Sequence, residues 1–155
     1  MKRKLLGILL LGFASGLPYM LVFSTLTAWL RDAGISLTEI GFFAWLVLTY
    51  SLKFLWAPFV DRYSIPGFVV FGKRRGWILF SQLIIFLSLI GMSFIDPLKN
   101  IQLLALFAFF AAFFGSIQDV AVDALRIEIG DAKEQGDLAA SYLLCYRVAI
   151  LVATS

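Results

Sequence analysis

The stretch that decides the fold runs from Ile101 to Glu128, "IQLLALFAFFAAFFGSIQDVAVDALRIE". Its first half is apolar enough for the interior of a bilayer, and about 20 such residues are needed for one helical crossing. Its second half nevertheless carries Asp119 and Asp123 four residues apart. At 100° per residue, Ala105, Ala108, Ala112, Gly115, Asp123 and Arg126 all fall within about 40° of Asp119. Leu106, Phe110, Phe113, Phe114 and Ile117 form the opposite side, facing lipid or protein. A helix with one small, ionisable stripe turns that stripe towards a cavity or another helix.

The rest of the chain has the same character. Of its 155 residues, 61% are hydrophobic and 16 are Phe, and the mean hydropathy is +0.93. These values lie far outside those of soluble domains. The expected fold is an all-α membrane protein with spans at about 5–30, 40–60, 77–95 and 103–125, and a fifth running from 138 to 155. The connections are too short for another domain. The basic residues gather on alternate connections: Lys2, Arg3 and Lys4, then Arg62, Lys73, Arg74 and Arg75, then Arg126 and Lys133, against Arg31 and Lys99 on the other side. The positive-inside rule then predicts a cytoplasmic N-terminus. The opening "MKRKLLGILLLGFASG" has the cast of a signal peptide, but apolar sequence continues through "LPYMLVFSTLTAWL", so an uncleaved first helix is expected.

Several chemistries are excluded from the start. Without histidine there is no His-ligated metal site, no His-based triad and no imidazole proton shuttle. Cys145 is the single cysteine, so no disulfide forms within the chain. A net charge of +3 is too small to indicate nucleic acid. No cofactor or metal is expected, and any proton chemistry falls to carboxylates.

In the first span, Pro18 predicts a kink near Ala14 to Pro18. Gly12 and Gly16 stand at GxxxG spacing, which admits a close neighbouring helix. Simple packing is the plainer expectation; a bent helix lining a cavity is the functional one.

Two sites at different depths are expected on the fourth span. Asp119 lies about 9 Å inside its cytoplasmic end, and Lys53 about 10 Å inside the second span. Lys53 or Arg147 is the expected partner of Asp119, since a lone charge at mid-helix costs about 2.5 to 3.5 kcal/mol on insertion scales. Asp119, Lys53, Arg147 and Gln118 are the candidates for a substrate or proton relay; an inert ion pair fixing helix register is the alternative. Asp123, Arg126 and Glu128, near the membrane boundary, either end a solvated helix or form a cytoplasmic gate with Asp61, Arg62, Arg74 or Arg75.

Read in order, "GFASGLPYMLVFSTLTAWL", "SLKFLWAPFVDRY", "GKRRGWILFSQL" and "SIQDVAVDALRIE" resemble the AmpG muropeptide permeases and, more distantly, the acetyl-coenzyme A transporters, two branches of the major facilitator superfamily. The resemblance extends from about Leu11 to Arg147. It implies a secondary transporter of the bacterial inner membrane that imports anhydromuropeptides for cell-wall recycling, driven by protons. It also implies a gating role for Asp61, Arg62, Arg74 and Arg75, although the superfamily's loop motif is stretched here by the ten residues Tyr63 to Gly72. The apolar insertion "SIPGFVVF" within that stretch is expected to lie on the membrane surface. Residues 1–155 correspond to the N-terminal part of a six-helix bundle, about four helices and a truncated fifth. The partners expected are thus a glycopeptide, protons, the bilayer and the remaining C-terminal helices, and the piece by itself is not expected to transport.

Two rival readings carry different consequences. Asp119-x-x-x-Asp123 resembles the magnesium-diphosphate motifs of membrane transferases, but Gln118 and Arg126 stand where further acids would help. A non-transporting assembly or sensor subunit would use the same charges only to pair helices.

Overall fold

A computed structural model describes residues 2–155. It is helical over 82% of its length, with no strand among the described residues. The helices are α1 (Lys2–Met20), α2 (Leu26–Asp32), α3 (Leu37–Phe43), α4 (Leu46–Ser51), α5 (Lys53–Arg62), α6 (Lys73–Ser93), α7 (Ile101–Ile129) and α8 (Gln135–Thr154). A π-helical turn, Leu21–Thr25, joins α1 to α2, so Lys2–Asp32 forms one continuous span of 31 residues. Four helical segments are long and apolar enough to cross a membrane. A fifth crossing is made if the bent pair Leu37–Ser51 and Lys53–Arg62 counts as one.

Local chemistry sets the ends of these segments. The span containing α1 and α2 stops at Gly34, whose φ of 83° suits a residue without Cβ. Its N–H donates to the Arg31 carbonyl and that of Ile35 to the Leu30 carbonyl, both at 3.1 Å, the paired bonds of a Schellman motif. Next, Ser36 and Glu39 form a capping box that starts α3.

Two features of helix shape go beyond hydropathy. Lys2–Met20 is α-helical across Pro18, and a wide turn follows at Leu21–Thr25, where the Leu26 N–H reaches back to the Leu21 carbonyl. The second span is not one straight helix. It breaks at Leu52 (φ −91°, ψ 11°), with a bend of 46°.

Packing follows the small residues. α1 lies along α8, α6 along α7, and α4 and α5 rest on α7. A Cβ at Gly12 would stand 2.5 Å from the Tyr142 carbonyl oxygen, and one at Gly16 2.6 Å from that of Tyr146. The GxxxG pair therefore serves helix packing, letting the α1 and α8 backbones touch. One core cluster joins Val22, Leu26, Leu30 and Phe43 to Leu104 and Ala108. The other, towards the opposite end, joins Ile8, Val60, Ile78, Ile117 and Leu138. Ile117 thus faces protein, whereas Leu106 and Phe110 are exposed on the outer side of α7.

Candidate functional site

α7 carries the centre of the site because its inner face changes from small to polar within one turn. Ala108, Ala111 and Ala112 are fully buried and allow neighbouring helices to close in. The following residues then reach four different helices. Gly115 faces Tyr50 of α4, whose hydroxyl occupies the space a Cβ would need. The Trp56 indole of α5 donates to Ser116 Oγ at 3.0 Å. Gln118 Nε2 donates to Ser15 Oγ of α1 at 3.2 Å. The Tyr142 hydroxyl of α8 donates to Asp119 Oδ1 at 3.2 Å.

Ser116, Gln118 and Asp119 are all buried, at 0%, 1% and 8% exposure. Two buried polar atoms here, Tyr50 Oη and Gln118 Oε1, have no hydrogen-bond partner. Such atoms are rare in a packed interior because each forgoes a bond that water would give it.

Aromatic rings lead away from this centre. Tyr142 lies 5.9 Å from Tyr146, Tyr146 6.3 Å from Tyr19, and Tyr19 5.1 Å from Tyr50, centroid to centroid. Phe23 closes the group at 4.8 Å from Tyr19 and 5.5 Å from Tyr50. Tyr19 and Phe23 also line an open cavity of about 760 Å³ bounded by Thr27, Arg31, Asp32 and Thr154. A row of aromatic rings with polar tips therefore runs from the buried carboxylate to a cavity at the α2 end.

The other end of the bundle carries the ion pairs. Arg74, at the start of α6, reaches Asp61 Oδ1 at 2.5 Å and Glu128 Oε1 at 2.9 Å, tying α5 and α7 to α6. The Lys73 ammonium also donates to the Asp61 carbonyl. Asp123 lies 3.6 Å from Arg126 and 3.9 Å from Lys53. Lys4 of α1 meets Glu134, ahead of α8, at 3.1 Å.

Residues 4–143 match the family model described as acetyl-coenzyme A transporter 1. The chain belongs to this transporter family. Over 146 residues, 94% of its length, it is 40% identical to the anhydromuropeptide permease of Escherichia coli, covering 29% of that protein. It is 37% identical over 149 residues to a protein named as transporter AmpG 4 in Rickettsia felis, covering 96% of this chain and 36% of the relative. It is 40% identical over 150 residues to an uncharacterized protein of Haemophilus influenzae, with 97% and 35% covered. The chain thus spans about a third of the length of the curated relatives it matches. No solved structure matches it significantly.

As a member of the acetyl-coenzyme A transporter family, whose relatives are permeases and transporters, the chain is a multi-pass membrane protein and not an enzyme. The two acids of the transferase reading serve separate partners, Asp119 with Tyr142 and Asp123 with Lys53 and Arg126.

The family member departs from the sequence expectations in one pairing. Lys53 reaches Asp123 and not Asp119, because the break at Leu52 redirects its stem and its long side chain extends towards the polar end of α7. Arg147 is exposed on α8 among Leu143, Leu144 and Leu151, and no ion pair holds it among the described residues. Asp119 instead takes a neutral donor. Of the gate candidates, Asp61 pairs with Arg74 and Asp123 with Arg126, two separate ion pairs; Arg74 reaches α7 at Glu128, and Arg62 and Arg75 are exposed. Sequence reasoning passed over Ser15, Tyr19, Tyr50, Ser116, Tyr142 and Tyr146. The available signal was four-residue spacing of hydroxyl-bearing rings, Tyr142 with Tyr146, inside an apolar run.

Proposed function

We propose that the chain is the N-terminal part of a major-facilitator transporter that imports anhydromuropeptides across the bacterial inner membrane, driven by protons. The observation that carries the substrate class is the 40% identity, along nearly the whole chain, to a protein named anhydromuropeptide permease. The buried Asp119–Tyr142 contact supports coupling through protonation. A buried carboxylate held by a neutral hydroxyl donor of α8 sits in a setting where gain of a proton alters the packing of α7 on α8. The ion pairs of Arg74 with Asp61 and Glu128 support a cytoplasmic gate, since they join three helices at one end of the bundle. The N-terminus is cytoplasmic on this reading, with the basic ends of α1 and α6 on the same side.

The test is uptake of labelled anhydromuropeptide by cells carrying the gene at its native locus. Asp119→Asn keeps the shape of the side chain but cannot lose or gain the proton. It should abolish accumulation driven by a proton gradient while membrane abundance holds. Uptake that persists undiminished in Asp119→Asn overturns the relay. Uptake unaffected by deletion of the gene overturns the substrate assignment.

A further inference from the structure

A second concavity lies among the described helices, away from the aromatic wall. It is a groove of about 650 Å³ between the first turns of α1 and α6, floored by the last turns of α7. Gly7, Ile8, Leu11, Ile78, Leu79 and Leu125 make its walls apolar, and Phe71 also lines it. A Cβ at Gly7 would meet nothing within 4 Å, so this side of α1 stands away from its neighbours. Three cations rim the open end: Arg3, Lys4 and Arg75. Lys4 is occupied by Glu134, whereas neither Arg3 nor Arg75 forms an ion pair among the described residues. Gln82 also lines the groove, seven residues beyond Arg75 and so about 10 Å further along the helix.

We propose that this groove is a binding site for an anionic phospholipid. Guanidinium groups are strong, fork-shaped partners for phosphate. Here two of them stand free where the helices emerge from the apolar zone. The polar order along the groove follows that of a lipid: cations at the phosphate, the Gln82 amide at the depth of the glycerol esters, then an aliphatic channel for an acyl chain. Charge complementarity selects anionic over zwitterionic headgroups, because Arg3 and Arg75 have no carboxylate of their own to neutralise them. The neighbouring turn, with Val69, Val70 and Phe71 all exposed, extends the apolar surface into the same leaflet. The inference rests on the chain being a membrane protein and not on the transport reading.

Native mass spectrometry of the purified protein, mixed with phosphatidylglycerol or phosphatidylcholine of identical acyl chains, tests it. The unaltered protein should retain phosphatidylglycerol in preference. In the Arg3→Gln, Arg75→Gln double variant that preference should disappear, with weak retention of both lipids left. Filling the groove by Leu79→Trp should reduce retention of both. Lys133→Gln, an exposed cation at the same end but outside the groove, should leave the preference intact. Equal retention of the two lipids by the unaltered protein overturns the proposal, as does a preference that survives the double variant or falls equally in Lys133→Gln. A photo-crosslinker at Leu79, in membranes from cells carrying the gene at its native locus, should label phospholipid; labelling of a polypeptide segment instead overturns it by showing that a helix fills the groove.

Discussion

Tyr142 donates its hydroxyl to Asp119 across the α7–α8 contact at 3.2 Å, and both groups are buried. Tyr142→Phe keeps the ring and removes the donor, which leaves a buried acceptor unsatisfied at a cost of about 1–3 kcal/mol. The unfolding transition should fall accordingly. Combining Tyr142→Phe with Asp119→Asn should cost less than the sum of the two, as for groups in direct contact. Strict additivity in denaturation of the detergent-solubilised protein would count against a direct bond.

Gly115 and Tyr50 make a lock that a single methyl group disturbs. Gly115→Ala would drive its Cβ into the Tyr50 hydroxyl and should destabilise by about 1–3 kcal/mol, as overpacking does. Tyr50→Phe removes that hydroxyl, which has no partner to lose. The double variant should therefore recover part of the loss, the remainder coming from the ring carbon 3.1 Å away. Thermal unfolding of the four proteins measures this; absence of any recovery would contradict the placement of Tyr50.

Gly12 and Gly16 differ from Gly7, although all three lie on α1. Gly12→Leu or Gly16→Leu would force α1 off the α8 backbone, with a penalty of at least about 1–3 kcal/mol. Gly7→Ala faces open space and should be neutral or gain up to about 1 kcal/mol in helix propensity. Cysteine cross-linking between α1 and α8 should fall in the first two variants and hold in the third.

Arg74 is the only side chain joining two carboxylates among the described ion pairs. Isolated exposed pairs contribute about 0–1 kcal/mol, so Arg74→Ala should change global stability little. Its local effect should be larger. Amide exchange over residues 61–73 should quicken in the variant, and in the unaltered protein at high salt; unchanged exchange in both would deny the bridge any restraining effect.

Glu134 lies outside the spans and titrates against them. The Lys4 ammonium bond, aided by the Asp131 N–H, holds its carboxyl below the usual carboxylate range. A lowered folded-state value means that the tie is complete above the ordinary glutamate value and lapses only as pH falls through the lowered one. Lys4→Met should raise the Glu134 midpoint back towards ordinary in a carbon-13 NMR titration. A midpoint indifferent to Lys4 would show that the contact is not populated.

The spans were legible because hydropathy sums over many residues, so no single placement can mislead it. The helix end at Gly34 and the start at Ser36 rest on residues with one strong local habit, which spans drawn at 5–30 and 40–60 from hydropathy did not use. The break at Leu52 had no such marker, since neither Pro nor Gly occurs at Ser51 to Lys53. A depth ruler that treats the second span as straight therefore sets Lys53 level with Asp119, whereas its ammonium ends at Asp123. The true neighbour of Asp119 was hidden for another reason. Charge calls for charge in a sequence, but a buried carboxylate can be held by a neutral hydroxyl, and the apolar run around Tyr142 gives that ring the look of packing.

The π-helical turn at Leu21–Thr25 has one further effect. Before it, Ile8, Gly12, Ser15, Gly16 and Pro18 are the buried residues; within it, Val22 is, and after it Leu26 and Leu30 are. One extra residue in the turn offsets the angular phase of all that follows. The first span can thereby present one edge to α8 and another to the Phe43–Leu104 cluster, changing partners midway without leaving its axis.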